Sequence, residues 1–445
     1  MAADNPPARD INRTLELLQG LLQLGPRTPE STGEKETVRW LTNRLKQLGL
    51  EPQAFEFQYG KDSKRLALWA LVAPWGLLVC GLVAGFGPVL LLAAIVILLM
   101  ALDFIWLPQW TGSSEEATGK NLIAGLTRPW DQIVSHPRRL ILLSAHYDTA
   151  EGSRKNAFDL RNLRETLDSL ALGGVAFLFG YLVIGSILWA IDWFYPSLAL
   201  YDSAQWFWST IGVWLFVALV GPLVFVLTWN VGTELANRPF MPNPGADDNS
   251  SGVACTLNLA HELTRTTSAR EFDIAVAFWG AEELGLQGAR SFLREHADTL
   301  PLDTTIVNID SVGRGDTLLV VVGTGLFTKQ PMSGELAKRA QAVAERHCAD
   351  HWAPMWLSFL TGSTDQAAWL RAGYKSALSV SHGGVRKNVL VSAIYRLFHV
   401  PIDSLLPKWE HAHTPDDNIE SINPIALDRT QVFVSKLIDE LGEIN

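Results

Sequence analysis

Five short islands along the chain combine residue types that bind metal ions. They are His146-Tyr147-Asp148, Asp247-Asp248-Asn249, Glu282-Glu283, Asn308-Ile309-Asp310 and His413-Thr414-Pro415-Asp416-Asp417. Together they offer two imidazoles and several carboxylates with no thiolate, a donor set that suits a hydrolytic zinc centre better than a structural one. Cys80, Cys255 and Cys348 lie far apart, without C-x-x-C spacing, so neither a disulfide framework nor a thiolate site is expected. Two-metal hydrolytic sites hold their ions roughly 3.5–4 Å apart, and a shared carboxylate is the natural bridge at that distance. The doublet Glu282-Glu283 suits such a site. Adjacent loop residues can point in different directions, so that one binds metal and the other acts on a water as general base.

Positioning these islands requires strands that end where the islands begin. Strand patterns run over 51–58, 120–126, 139–145, 272–279, 304–310, 317–322 and 376–381. Helical spacing covers 34–48, 250–265, 284–296, 328–347, 364–371 and 425–441. Strands alternating with helices predict an α/β fold, a mostly parallel mixed sheet sandwiched by helices. In such sheets, sites form beyond the carboxyl ends of the strands. His146, Glu282 with Glu283, and Asp310 each follow one of these strands, which places three islands on one sheet edge. Asp365 reads either as a cap for the helix beside it or as a contact for a substrate amine.

The stretches Gly245-Ala246-Asp247-Asp248-Asn249-Ser250-Ser251-Gly252, Ala281-Glu282-Glu283-Leu284-Gly285-Leu286-Gln287-Gly288-Ala289 and His413-Thr414-Pro415-Asp416-Asp417 resemble the motifs of the co-catalytic di-zinc aminopeptidases. These form family twenty-eight of the metallopeptidases, the aminopeptidase S and aminopeptidase Y type. The resemblance implies a zinc exopeptidase-like fold and two Zn2+ ions. It implies that Asp247 bridges both ions, that His146 and Asp310 complete one of them, and that Glu283 and His413 complete the other. It further implies that Glu282 is the general base and that Asp148 orients His146. The expected reaction is hydrolysis of an N-terminal peptide bond by metal-activated water. The first alternative is an amidohydrolase acting on lipid-linked or hydrophobic amino-acid amides; glutaminyl cyclases, which share the fold, and a non-enzymatic adaptor that keeps the scaffold are less favoured ones.

Composition adds a membrane expectation. Of the 445 residues only 18% are charged, and the mean hydropathy is +0.13. Apolar runs at 66–85, 88–107, 171–191 and 206–229 are each about long enough to cross a bilayer. They predict two inserted transmembrane hairpins, 66–107 and 171–229, interrupting one discontinuous peptidase domain formed by 1–65, 108–170 and 230–445. Lys61, Lys64, Arg65, Arg154, Lys155, Arg161 and Arg164 precede the hairpins, while the connections at 85–88 and 192–205 hold no Lys or Arg. That bias predicts an integral membrane protein of four spans with a cytoplasmic catalytic domain. Residues 385–408, apolar with scattered cations, read either as an interfacial lid or as an extra core helix of the peptidase domain. The expected partners are therefore a peptide or amino-acid amide, including a membrane-derived or lipid-linked one, and the lipid bilayer. A formal net charge of −10 argues against nucleic acid.

Overall fold

Leu140–His146 and Asp273–Trp279 are buried at every position, as strands covered on both faces must be. They lie at the centre of a ten-stranded sheet in the computed structural model. The structure describes residues 10–60, 116–152, 187–199, 242–266, 271–387 apart from 302, 326–327 and 359–361, and 412–442, with single positions and short pieces at 184 and 392–408. The strands are β1 (Gln53–Gly60), β2 (Glu116–Gly125), β3 (Leu140–His146), β4 (Asp273–Trp279), β5 (Thr305–Ile309), β6 (Thr317–Thr324), β7 (Gln330–Pro331), β8 (Trp352–Leu357), β9 (Ala377–Lys387) and β10 (Leu405–Lys408). Their order is β1-β2-β4-β3-β5-β9-β6-β7, with β8 paired to β6 and β10 to β9.

The strands β4, β3, β5 and β9 run parallel to their neighbours, while β2 against β4 and β6 against β9 are antiparallel. Helices Ile11–Leu22, Thr32–Gln47, Gly252–Thr266, Gln287–His296, Gly334–His347, Gln366–Arg371 and Pro424–Gly442 accompany the sheet. The mixed α/β architecture expected from the sequence is present. The second of these helices starts at Ser31, whose hydroxyl accepts the Glu34 N–H at 3.0 Å, and the Glu34 carboxylate reaches back to the Glu30 N–H. This is a capping-box arrangement set one residue further out.

Register brings the functional edge together. His146 pairs with Trp279 across β3 and β4, and Ser144 pairs with Asn308 across β3 and β5. The three strands therefore end nearly level, and the residues after each one emerge side by side.

The chain divides into two compact units. One comprises Met1–Tyr59, Ala117–Lys155 and Phe240–Asn445; the other comprises Gly60–Glu116 and Asn156–Pro239. In the second unit, residues 187–194 are helical and a 3-10 turn covers Pro196–Leu198. Trp189 and Trp193 stack there at 5.5 Å between ring centroids, and Trp193, Phe194 and Tyr195 are exposed.

The structure corrects the membrane expectation. Among the described residues no helix is long and apolar enough to cross a membrane. The assignment as an integral membrane protein with four spans is therefore overturned. The bilayer as a partner loses its support with it. Residues 66–107 and most of 171–229 lie outside the described residues. In the 385–408 segment, β10 returns antiparallel onto the end of β9, with Leu405 opposite Lys387. Between them Tyr395 is buried, its hydroxyl 3.0 Å from Ser358 Oγ and donating to the Trp356 carbonyl at 3.2 Å.

Candidate metal centre

His146 is the last residue of β3 and is 1% exposed. Its Nε2 lies 3.1 Å from Asp248 Oδ1 and 3.4 Å from Asp310 Oδ1. The other oxygen of the same aspartate, Asp248 Oδ2, lies 3.3 Å from His413 Nε2, which is also 3.1 Å from Glu283 Oε2. Two clusters result, His146–Asp248–Asp310 and Asp248–Glu283–His413, each with ligand atoms within 4.8 Å of one another. Asp248 belongs to both, one oxygen to each.

This geometry corrects the expectation for Asp247. Its carboxylate accepts the Gly313 N–H at 2.6 Å and lies 3.9 Å from Arg314 Nε, away from both histidines. The cause is local: Asp248 has φ −108° and ψ 93°, and consecutive side chains in such near-extended backbone point to opposite sides. Two adjacent aspartates cannot both enter the cleft, and the sequence does not say which one does.

Asp417, the last residue of its island, sets the choice. Its Oδ1 accepts the Asp247 N–H at 2.8 Å and its Oδ2 the Asp248 N–H at 3.1 Å. Arg314 Nη2 donates to Asp417 Oδ1 at 2.9 Å. Asn249 fastens the same loop to the end of β5: its amide donates to the Ile309 carbonyl at 3.0 Å and accepts from Gly252 N at 2.9 Å and Ser311 N at 3.2 Å. Sequence reasoning gave Asp417 and Arg314 no role; the acidic pair Asp416-Asp417 was the only available signal for one of them.

Asp148 is fully buried and faces two ways. Its Oδ1 stands 3.5 Å from His146 Nδ1. Its two oxygens accept the N–H groups of Glu282 at 3.0 Å and Glu283 at 3.1 Å. The backbone of the glutamate pair is thus held by Asp148. Glu283 Oε1 takes the Ala150 N–H at 3.0 Å, which turns Oε2 toward His413. His413, with φ +57° in a short turn, is half-exposed. Asp365 heads the helix Gln366–Arg371 without a side-chain cap bond, and both of its oxygens are buried with no hydrogen-bond partner.

Electrostatics describe a site built for cations. Burial, followed by neighbouring charges, raises Glu282, Glu283 and Asp365 above the ordinary carboxylate range. Burial also opposes ionisation of Asp248, but hydrogen bonds from His146 and His413 outweigh it and hold its pKa below the ordinary value. So many buried carboxylates are costly unless paired with cations or metal. Imidazole nitrogens and carboxylate oxygens at these separations form a donor set that zinc accepts.

A family model described as Peptidase family M28 matches residues 230–438. No curated protein matches the chain. Among solved structures, the chain is similar to a glutaminyl cyclase from Porphyromonas gingivalis at 14% identity, covering 97% of this chain and 99% of that one with a TM-score of 0.53. It is also similar to a leucine aminopeptidase precursor from Bacteroides thetaiotaomicron, at 13% identity with 98% of each chain covered and a TM-score of 0.52. A third likeness is to a Zn-dependent exopeptidase from Parabacteroides distasonis, at 12% identity, 98% and 99% coverage and a TM-score of 0.52. At such identities the likeness shows the fold alone. The match to the Peptidase family M28 model over residues 230–438 supports a zinc metallopeptidase.

Proposed function

We propose that the chain is an aminopeptidase with a centre for two zinc ions sharing Asp248, which releases the N-terminal residue of a peptide. The observation that carries this reading is the division of the Asp248 carboxylate between His146 and His413. In it, His146 and Asp310 hold one ion with Asp248, and Glu283 and His413 hold the other. Bound there, the pair would polarise the scissile carbonyl and acidify a water. Glu282 adjoins a ligand and is buried to 9% exposure. It is the base that takes the proton from the attacking water and passes it to the leaving amine. Asp148 keeps that base in place through the Glu282 N–H and steadies the His146 ring.

Metal content and turnover of an aminoacyl-amide panel, beside Glu282→Gln, test the reading. Two zinc ions per chain and activity lost in the variant with metal retained are expected. An absence of bound zinc in folded protein would overturn it. Some structures of this fold are described as glutaminyl cyclase, so the panel includes an N-terminal glutamine peptide. Free glutamine in the products supports hydrolysis, whereas ammonia with a cyclised end would replace this reading.

A further inference from the structure

Arginine is seldom fully buried without a pairing acid. Arg27 is 0% exposed, yet its side-chain bonds all go to backbone carbonyls. Its Nε donates to the Tyr147 carbonyl at 2.8 Å, Nη1 to the Pro244 carbonyl at 3.1 Å and Nη2 to the Gly245 carbonyl at 3.0 Å. Its backbone pairs with Thr149, donating to Oγ1 at 3.0 Å and accepting the Thr149 N–H at 3.2 Å. One side chain therefore ties the segment after β3, which carries His146 and Asp148, to the turn that leads into Asp248. That turn is shaped for the guanidinium. Gly245 has φ +61°, and a Cβ there would lie 2.9 Å from Arg27 Nη2 and 2.3 Å from Thr149 Cγ2.

We infer that Arg27 is a positioning residue of the metal centre, its planar fork setting the separation of His146 from Asp248 and thereby the affinity and geometry of the ion they share. This rests on the reading of His146 and Asp248 as ligands of one ion. The two ligands lie about a hundred positions apart in sequence, one at the end of β3 and one in the loop after Gly245, and no described hydrogen bond joins Tyr147 directly to Pro244 or Gly245. Arginine suits the task because its donors diverge in one plane and meet three fixed carbonyls; a lysine ammonium is a point charge on a flexible stem. The surrounding acids Asp417, Asp148, Asp248 and Glu283 favour its charged form against burial, which brings its pKa down to about 10. The fork therefore stays cationic at neutral pH.

The test compares the full chain with Arg27→Lys in zinc competition against a chromophoric chelator, in the visible spectrum of the cobalt-substituted protein, and in melting of the metal-free protein. Arg27→Lys is expected to weaken zinc binding by about tenfold or more, as loss of support around metal ligands does, and to shift the cobalt bands. Native zinc affinity and an unshifted cobalt spectrum in Arg27→Lys, even with a lowered melting temperature, would overturn the inference. If Arg27→Lys does not fold, Thr149→Val decides: it removes one tether of the same residue and is expected to weaken zinc binding severalfold, and unchanged binding overturns the inference. Failure of the unmutated chain to bind zinc would instead overturn the reading of the ligands beneath it.

Discussion

Glu34 offers a measurement of how burial near the site is balanced against folding. It is 5% exposed, and burial is the chief cause that pushes its pKa from 4.5 up to about 7, with Asp148 and Glu30 adding to the rise. A carboxyl whose pKa is raised on folding holds its proton longer in the folded chain than in the unfolded one. Between pH 4.5 and 7 the unfolded chain therefore gains from ionisation while the folded chain does not, and stability falls as pH rises. The gap between 4.5 and about 7, at about 1.36 kcal/mol per pH unit, amounts to about 3 kcal/mol. Glu34→Gln removes this dependence yet keeps an acceptor for the Glu30 N–H. Urea unfolding of both proteins at pH 5 and pH 8, with zinc held constant, isolates the effect because all other titrations are common. Because pH 5 already lies above 4.5, the variant is expected to gain about 2.5 kcal/mol relative to wild type on going from pH 5 to pH 8. Parallel changes in the two proteins would refute the reasoning.

Three further outcomes are expected. Asp248→Asn abolishes stoichiometric zinc binding, whereas Asp247→Asn retains it and lowers thermal stability, because the Asp247 carboxylate serves the Gly313 N–H instead of the cleft; metal analysis and calorimetry separate the two. Asp417→Asn keeps the side-chain shape but weakens the bonds to the Asp247 and Asp248 N–H groups and to Arg314, costing about 1–3 kcal/mol in urea unfolding. Leu142→Ala, at a fully buried position between β4 and β5, costs about 2–5 kcal/mol, and a loss well under 1 kcal/mol would show that the cavity collapses.

What the sequence disclosed depended on whether the physics was local. The apolar runs of β3, β4 and β5 are buried on both faces, so their composition identifies them, and residues at their ends, His146 and Asp310, were placed with them. Strand β8 was not anticipated because Pro354 interrupts it; the structure accommodates the proline opposite Val320 on a strand paired to β6 alone among the described strands. Helix Ile11–Leu22 buries Thr14, Leu17, Leu18 and Leu21 behind an Asp10 cap, a signal present in a stretch that otherwise reads as polar. The choice between Asp247 and Asp248 is set by Asp417, some 170 positions away, and no local pattern encodes it. The membrane expectation rested on composition alone, and no described helix is long and apolar enough to carry it.

The candidate ligands lie at positions 146, 248, 283, 310 and 413, so neither cluster can be assembled from a short piece of the chain. Cation binding to these groups would therefore be thermodynamically linked to folding. An ion with affinity for the native arrangement and little for the unfolded chain shifts that equilibrium by mass action, by about 2.7 kcal/mol at a free concentration one hundred times its dissociation constant. On the proposed reading the free zinc level around the protein would help set its stability, and a chelator would lower that stability.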